Sequence, residues 1–225
     1  MISKLISRLA LSAVAAGVLA VATPAAASTV TLTRSDATTK WAQNDLGHEL
    51  YAGVNIHFTG RTDLSGVRAG AFGINDGTND WLAFCVDLFE SYALGSGFMP
   101  EVNPVRPFMD RLDKLYTTYF ADVDTGTEAA AFQVAIWEII YDSDLNVGDG
   151  SFKLTSTGSV LTQVNTYLSG LDDKAGGGYA FTFLNKQGAQ DLVIASPVPL
   201  PAGGLLLLGA LGAMGVARRK AKQAA

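Results

Sequence analysis

The sequence predicts a single α+β domain, in which strands from the N- and C-terminal parts of the core surround a central helical region. Two patterns and one absence carry this. Stretches within residues 28–88 and 179–195 alternate apolar and polar positions with the period of two of a half-buried strand. Between residues 107 and 171 the apolar positions instead recur three and four apart, the period of a helix lying on a core. No internal repeat divides the chain, and 225 residues less the two ends suit one domain of ordinary size.

Taken in order, Ser28 to Thr33 reads as a first strand, followed by a polar loop through Asp45. Glu49 to Thr59 alternates better and suits a strand with one solvated face, and Val67 to Ile74 is a third. Asn75-Asp76-Gly77-Thr78 follows, where Asp-Gly between two apolar runs signals a tight turn because glycine accepts positive φ. The returning strand is Asp80 to Leu88, with Trp81, Ala83, Cys85 and Asp87 on one face and Leu82, Phe84, Val86 and Leu88 on the other. Gly95 to Pro104, rich in Gly and Pro, reads as a loop. Pro107 to Phe120 is predicted helical, with Pro107 in its first turn. Asp144 to Gly150 reads as a turn-rich loop, Gly158 to Leu171 as a shorter helix ended by three glycines, and Tyr179 to Leu184 and Asp191 to Ala195 as closing strands.

The stretch from Thr125 to Asp142 stands apart. Thr125 and Glu128 have capping-box spacing, so a helix starts there. Ala130, Gln133, Trp137 and Ile140 fall on one stripe with Ile136 beside them, while Glu138 and Asp142 lie toward another side. Gln133 thus points where an apolar residue is expected, and burying its amide without a partner costs a few kcal/mol. The amide needs one.

Both ends read as targeting segments. Residues 1–27 carry Lys4 and Arg8, an apolar run, and Ala25-Ala26-Ala27 as a small-residue cleavage site, the pattern of a signal peptide rather than of an uncleaved anchor. Residues 197–225 hold Val198-Pro199-Leu200-Pro201-Ala202, an apolar stretch to Ala217, and the basic cluster Arg218, Arg219, Lys220 and Lys222. The apolar part just reaches the roughly 20 residues that cross a bilayer. Its basic flank is expected to stay cytoplasmic, with the core on the exported side. A VPLPA motif, a short apolar span and an Arg-rich end resemble the PEP-CTERM type of sorting signal of Gram-negative bacteria. The resemblance implies processing by an exosortase, an inner-membrane intermediate, and delivery to the cell surface or the extracellular matrix. A tail that simply stays in the inner membrane is the plainer reading.

Of 16 basic and 21 acidic residues, removing both ends takes away six basic ones, which leaves a core of net charge about −11. Such a surface repels nucleic acid. The single cysteine, Cys85, permits no intramolecular disulfide, and a lone thiol in an exported protein calls for an explanation.

Cys85 and Gln133 are the two residues in odd places, and each is a candidate partner for the other. Attack of the Cys85 thiolate on the Gln133 side-chain carbonyl would expel ammonia and leave an internal thioester. The link would restrain the unfolded chain by roughly 4 kcal/mol on the loop-entropy scale used for disulfides. Phe84, Phe132 and Trp137 are placed to shield such an acyl group from water. Phe84-Cys85-Val86-Asp87 together with Phe132-Gln133-Val134-Ala135-Ile136-Trp137-Glu138 resembles the paired Cys and Gln motifs of bacterial thioester domains, known from Gram-positive surface adhesins. That resemblance implies that Cys85 and Gln133 are the bonded pair and that the bond captures an amine on a surface or matrix partner, without turnover, so no enzyme and no cofactor are implied. The chain departs from the adhesin pattern in having Phe132 where a Thr commonly precedes the Gln.

Other readings stand beside it. Cys85 can be a small buried hydrophobe and Gln133 a self-satisfied core amide. The protein is then a non-covalent structural or binding component of the matrix, with Cys85 free or paired between molecules. A catalytic thiolate with His48 or His57 needs an electropositive setting, and Asp80, Asp87 and Glu90 surround Cys85 in sequence instead. Asp122, Asp124 and Glu128, and likewise Asp142, Asp144, Asn146 and Asp149, fail the register of a calcium loop and read as solvated turns rather than metal sites. Twenty-one acids always place some pair near another, so glycoside hydrolysis has no specific support.

Overall fold

A computed structural model of the protein describes residues 28–35 and 50–199. The predicted signal peptide, and the sorting segment from Leu200 onward with its apolar span and Arg218, Arg219 and Lys220, lie outside the described residues. Among the described residues no helix is long and apolar enough to cross a membrane.

Among the described residues nine strands and three α-helices form the α+β arrangement that the two periodicities predict. Strands β1 (Val30–Arg34), β4 (Phe72–Asn75), β5 (Asp80–Cys85), β6 (Gly95–Val102), β8 (Tyr179–Asn185) and β9 (Leu192–Pro197) close into an antiparallel barrel in the order β1-β4-β5-β9-β8-β6. Strands β2 (Tyr51–Phe58), β3 (Leu64–Gly70) and β7 (Phe152–Leu154) make a separate sheet in the order β3-β2-β7. Helices α1 (Met109–Tyr119), α2 (Gly126–Tyr141) and α3 (Ser159–Leu168) fall between β6 and β8 in the chain.

Alternation divides the barrel strands between two cores. Leu32, Ile74, Ala83, Phe98, Leu184, Leu192 and Ile194 form a small apolar cluster of barrel residues alone. Their neighbours Leu82, Phe84, Phe181, Phe183, Val193 and Ala195 belong to the main core with the helices. Helix α2 runs through that core, touching β2, β3 and β7, α1 and α3, and the end of β5. Every residue from Ala129 to Ile139 is buried, the signature of a helix that is apolar on all sides because packing surrounds it. The predicted stripe is thus only part of its buried surface.

Three expectations need correction. Residues 95–104 are not a loop: most of them form β6, which pairs with both β1 and β8 and closes the barrel. The predicted strand from Val67 to Ile74 is two strands in two different sheets, parted at Gly70 and Ala71. Gly70 has φ +153°, and a Cβ there would lie 2.2 Å from the Leu50 carbonyl oxygen, so the crossover of the two sheets fits only glycine. Helix α1 begins at Met109 with Phe108 as its N-cap, so Pro107 precedes the helix rather than sitting in its first turn.

Candidate functional site

The site forms where the middle of α2 meets the end of β5. The capping box fixes the start of α2: Thr125 Oγ1 accepts from the Glu128 N–H, and Glu128 Oε2 accepts from the Thr125 N–H at 2.9 Å. From that start Gln133, Trp137 and Tyr141 follow at intervals of four and share one face. All three meet the segment from Cys85 to Leu88.

Gln133 is wholly buried and makes a two-point contact with one residue of the barrel. The Cys85 N–H donates to Gln133 Oε1 at 2.8 Å, and Gln133 Nε2 donates to the Cys85 carbonyl at 2.8 Å. The side-chain amide takes the place that a further strand would take beside the last residue of β5. It therefore satisfies two backbone groups and itself, which answers how an amide stays in an apolar core. The Leu88 N–H donates to the Tyr141 hydroxyl at 3.0 Å, so one turn of α2 after another closes the chain end of β5. Tyr141 was legible from its four-residue spacing to Trp137, although the predicted stripe used Ile140 instead.

Cys85 is 1% exposed and departs from the predicted alternation, packing in the main core with Phe84 rather than with Ala83 in the barrel. Its Sγ donates to the Asp87 carbonyl at 2.8 Å. Burial pushes the Cys85 thiol well above the usual thiol range, and the Trp137 indole and the Asp87 backbone contact pull against it only in part. The Trp137 indole nitrogen is buried without a hydrogen bond of ordinary geometry. Phe84, Phe132 and Trp137 are no more than 1% exposed, with Phe84 and Phe132 rings 5.0 Å apart, so water is kept from the contact on the helix side.

These atoms suit acyl chemistry. The carbonyl of Gln133 is polarised by the Cys85 N–H, a donor already aimed at the oxygen on which charge develops when a nucleophile adds. The thiol belongs to the same residue as that donor. A dry surround keeps an acyl group from hydrolysis and makes the buried neutral thiol the resting form.

The other candidates do not gather here. His57 Nδ1 lies 2.6 Å from Asp63 Oδ1 on an exposed surface, and His48 lies outside the described residues. The acidic loops use their carboxylates locally: Glu128 caps α2, Asp144 Oδ1 and Asn146 Oδ1 accept from backbone N–H groups two residues on, and Asp149 pairs with Lys153. Among the described residues no group of three or more His, Cys, Asp or Glu side chains comes together to hold a metal. Val198 and Pro199 are described, with the Val198 N–H donating to the Gly178 carbonyl; Leu200, Pro201 and Ala202 lie outside the described residues.

Glu138 was missed. It is wholly buried, one residue beyond Trp137, with Oε1 accepting from the Asn146 N–H at 2.8 Å and Oε2 without a hydrogen bond of ordinary geometry among the described residues. Burial, then the neighbouring Asp144 carboxyl, raises it to about 8. No local signal marks this, since a Glu late in a helix is usually solvated.

No family model matches the chain, and no curated protein does. Among solved structures it is similar to the N-terminal domain of the Streptococcus pyogenes pilus tip adhesin Cpa, at 16% identity over 75% of this chain and 100% of that one, with a TM-score of 0.41. It is also similar to the Bacillus anthracis TIE protein, at 11% identity over 77% of this chain and 40% of that one, with a TM-score of 0.40.

Proposed function

We propose that this is an exported cell-surface or matrix protein whose Cys85 and Gln133 form an internal thioester that attaches the protein covalently to an amine-bearing partner, after exosortase processing at the Val198–Ala202 motif. The observation that carries it is the two-point contact between the Gln133 amide and the Cys85 backbone in a water-excluded core. In formation, Cys85 Sγ bonds to the Gln133 side-chain carbon, the C–N bond breaks, and the amide nitrogen leaves as ammonia with the thiol proton. The Cys85 N–H stays on the carbonyl oxygen throughout. In capture, an amine adds to the same carbon, the C–S bond breaks, and the proton lost by the amine ends on the sulfur. Each molecule reacts once, so this is attachment rather than turnover.

One observation favours a second reading. Gln133 is fully satisfied by backbone groups and the thiol already donates to the Asp87 carbonyl, which is all that a core amide and a buried cysteine require. On that reading the protein is a non-covalent matrix component, and at 1% exposure Cys85 offers no surface for a disulfide between molecules.

Intact mass decides between them. The exported protein, prepared without reductant, is expected to weigh one ammonia less than its sequence, and methylamine is expected to add to Gln133 and free Cys85 for alkylation. Cys85→Ala abolishes both. A full-mass protein that ignores methylamine leaves only the second reading.

A further inference from the structure

On the thioester reading, the released sulfur is the unsolved part of the chemistry. Amine capture breaks the C–S bond with its electron pair moving to Cys85 Sγ, and a buried sulfur is a poor place for negative charge. Its carbonyl neighbour at Asp87 accepts hydrogen bonds and gives none. Among the described residues the groups that act on this thiol include no basic one; Asp87 and Asp191 both oppose its ionisation.

One donor is in place. Trp137 follows Gln133 by four residues on the same face of α2, is 1% exposed, and carries an indole N–H that acts on the Cys85 thiol without making a hydrogen bond of ordinary geometry among the described residues. A buried N–H left unpaired is costly, so such a donor calls for an acceptor that is present in some state of the site. The neighbouring groups are already committed: Gln133 to the Cys85 backbone, Tyr141 to the Leu88 N–H, and the Cys85 thiol to Asp87. The Cys85 sulfur, on which the indole already acts, becomes such an acceptor when it has no proton to give.

We infer that Trp137 is a positioning residue for the leaving sulfur, its indole N–H donating to Cys85 Sγ as the C–S bond breaks and, in the reverse sense, to the thiolate that attacks Gln133. The indole keeps its proton throughout; it lowers the charge on the sulfur until the proton from the amine arrives there. The pairing is loose in the resting protein and tightens as negative charge develops, as hydrogen bonds to reacting groups do. It divides the work at the site between two donors: the Cys85 N–H serves the carbonyl oxygen and Trp137 serves the sulfur. It also gives Trp137 a task that phenylalanine, equally good at excluding water, does not perform.

The test uses two replacements at position 137 in the full exported chain. Trp137→Phe keeps an aromatic ring and loses the N–H, and benzothienylalanine keeps the bicyclic shape and replaces the N–H by sulfur. Both are expected to slow methylamine capture by about tenfold or more, the effect of one hydrogen bond to a charged group, while hydrolysis-protected thioester and thermal midpoint remain for the isosteric replacement. Independently, the indole N–H resonance that vanishes in Trp137→Phe is expected to shift in Cys85→Ala, while the Trp81 resonance, held on Asp76, stays. Capture at the wild-type rate by the isosteric protein overturns the inference and leaves the thioester standing. A full-mass wild-type chain that ignores methylamine removes the thioester, and with it the leaving-group role. An indole resonance blind to Cys85→Ala overturns the contact itself, whatever the mass shows.

Discussion

Five residues apart on one helix, Gln133 and Glu138 are both wholly buried and meet opposite conditions. Gln133 is neutral and each atom of its amide has a partner at 2.8 Å. Glu138 is ionisable, has one oxygen on the Asn146 N–H, and leaves the other bare. The first contact is local to one strand end and holds two elements in register. The second is met by a proton rather than by a residue, because burial disfavours charge on Glu138 and the Asp144 carboxyl lies beside it. The helix thus carries a polar contact that is complete at any ordinary pH beside one that depends on it.

Removing the complete contact is expected to have the largest effect. Gln133→Ala strands the Cys85 N–H and carbonyl in the core, at about 1–3 kcal/mol each, and leaves a small cavity besides. A loss of about 3–5 kcal/mol is expected by chemical denaturation in a Cys85→Ala background, where no thioester contributes. If the double variant matches Cys85→Ala alone, the two-point contact is not what holds β5 to α2, and the contrast with Glu138 disappears.

Titration sharpens the comparison from the other side. The folded chain holds the Glu138 proton up to about pH 8, whereas an ordinary carboxyl releases it near 4.5. A raised folded value means that the contribution is fully present below pH 4.5 and is lost as pH climbs through 8. Stability is therefore expected to fall by about 2–4 kcal/mol between pH 5 and 9. Among its neighbours Asp142 and Asp144 add like charge and deepen the loss. Glu138→Gln keeps an acceptor for the Asn146 N–H and supplies an N–H for the bare position, so its denaturation midpoint is expected to be flat across the same range. A wild-type midpoint that rises with pH would show that Glu138 is ionised in the folded protein.

Local chemistry was legible and distant pairing was not. The start of α2 could be read because Thr125 and Glu128 are three residues apart and signal by themselves, and the β4–β5 turn because Asp76-Gly77 does the same. Strand β6 was hidden by its own composition: two glycines and Pro100 in eight residues describe a loop, and only neighbours on both sides make them a strand. Strand β7, three residues after a turn-rich loop, is too short to show a period. At the site, the oddness of Gln133 was visible from its stripe and that of Cys85 from its solitude, yet their contact depends on how a barrel strand ends against a helix. The burial of Glu138 gave no sign at all, because loop residues 143–150 cover it and no period records what a loop covers.

The smallest effect is expected at the exposed start of the same helix. Thr125→Ala removes the hydroxyl that accepts from the Glu128 N–H at 3.2 Å, but Glu128 Oε2 still accepts from the Thr125 and Asp124 N–H groups at 2.9 and 3.0 Å. Half of the capping box therefore survives, and water reaches the donor that is freed. A loss of about 1 kcal/mol is expected, or about 2–4 °C in the thermal midpoint for a domain of this size. It should be independent of pH above 5 and additive with Gln133→Ala, since the two positions share no partner. A cost equal to that of Gln133→Ala would mean that α2 is held by how it begins. A cost near the expected value means that it is held in its middle, where a strand end and a helix share one amide.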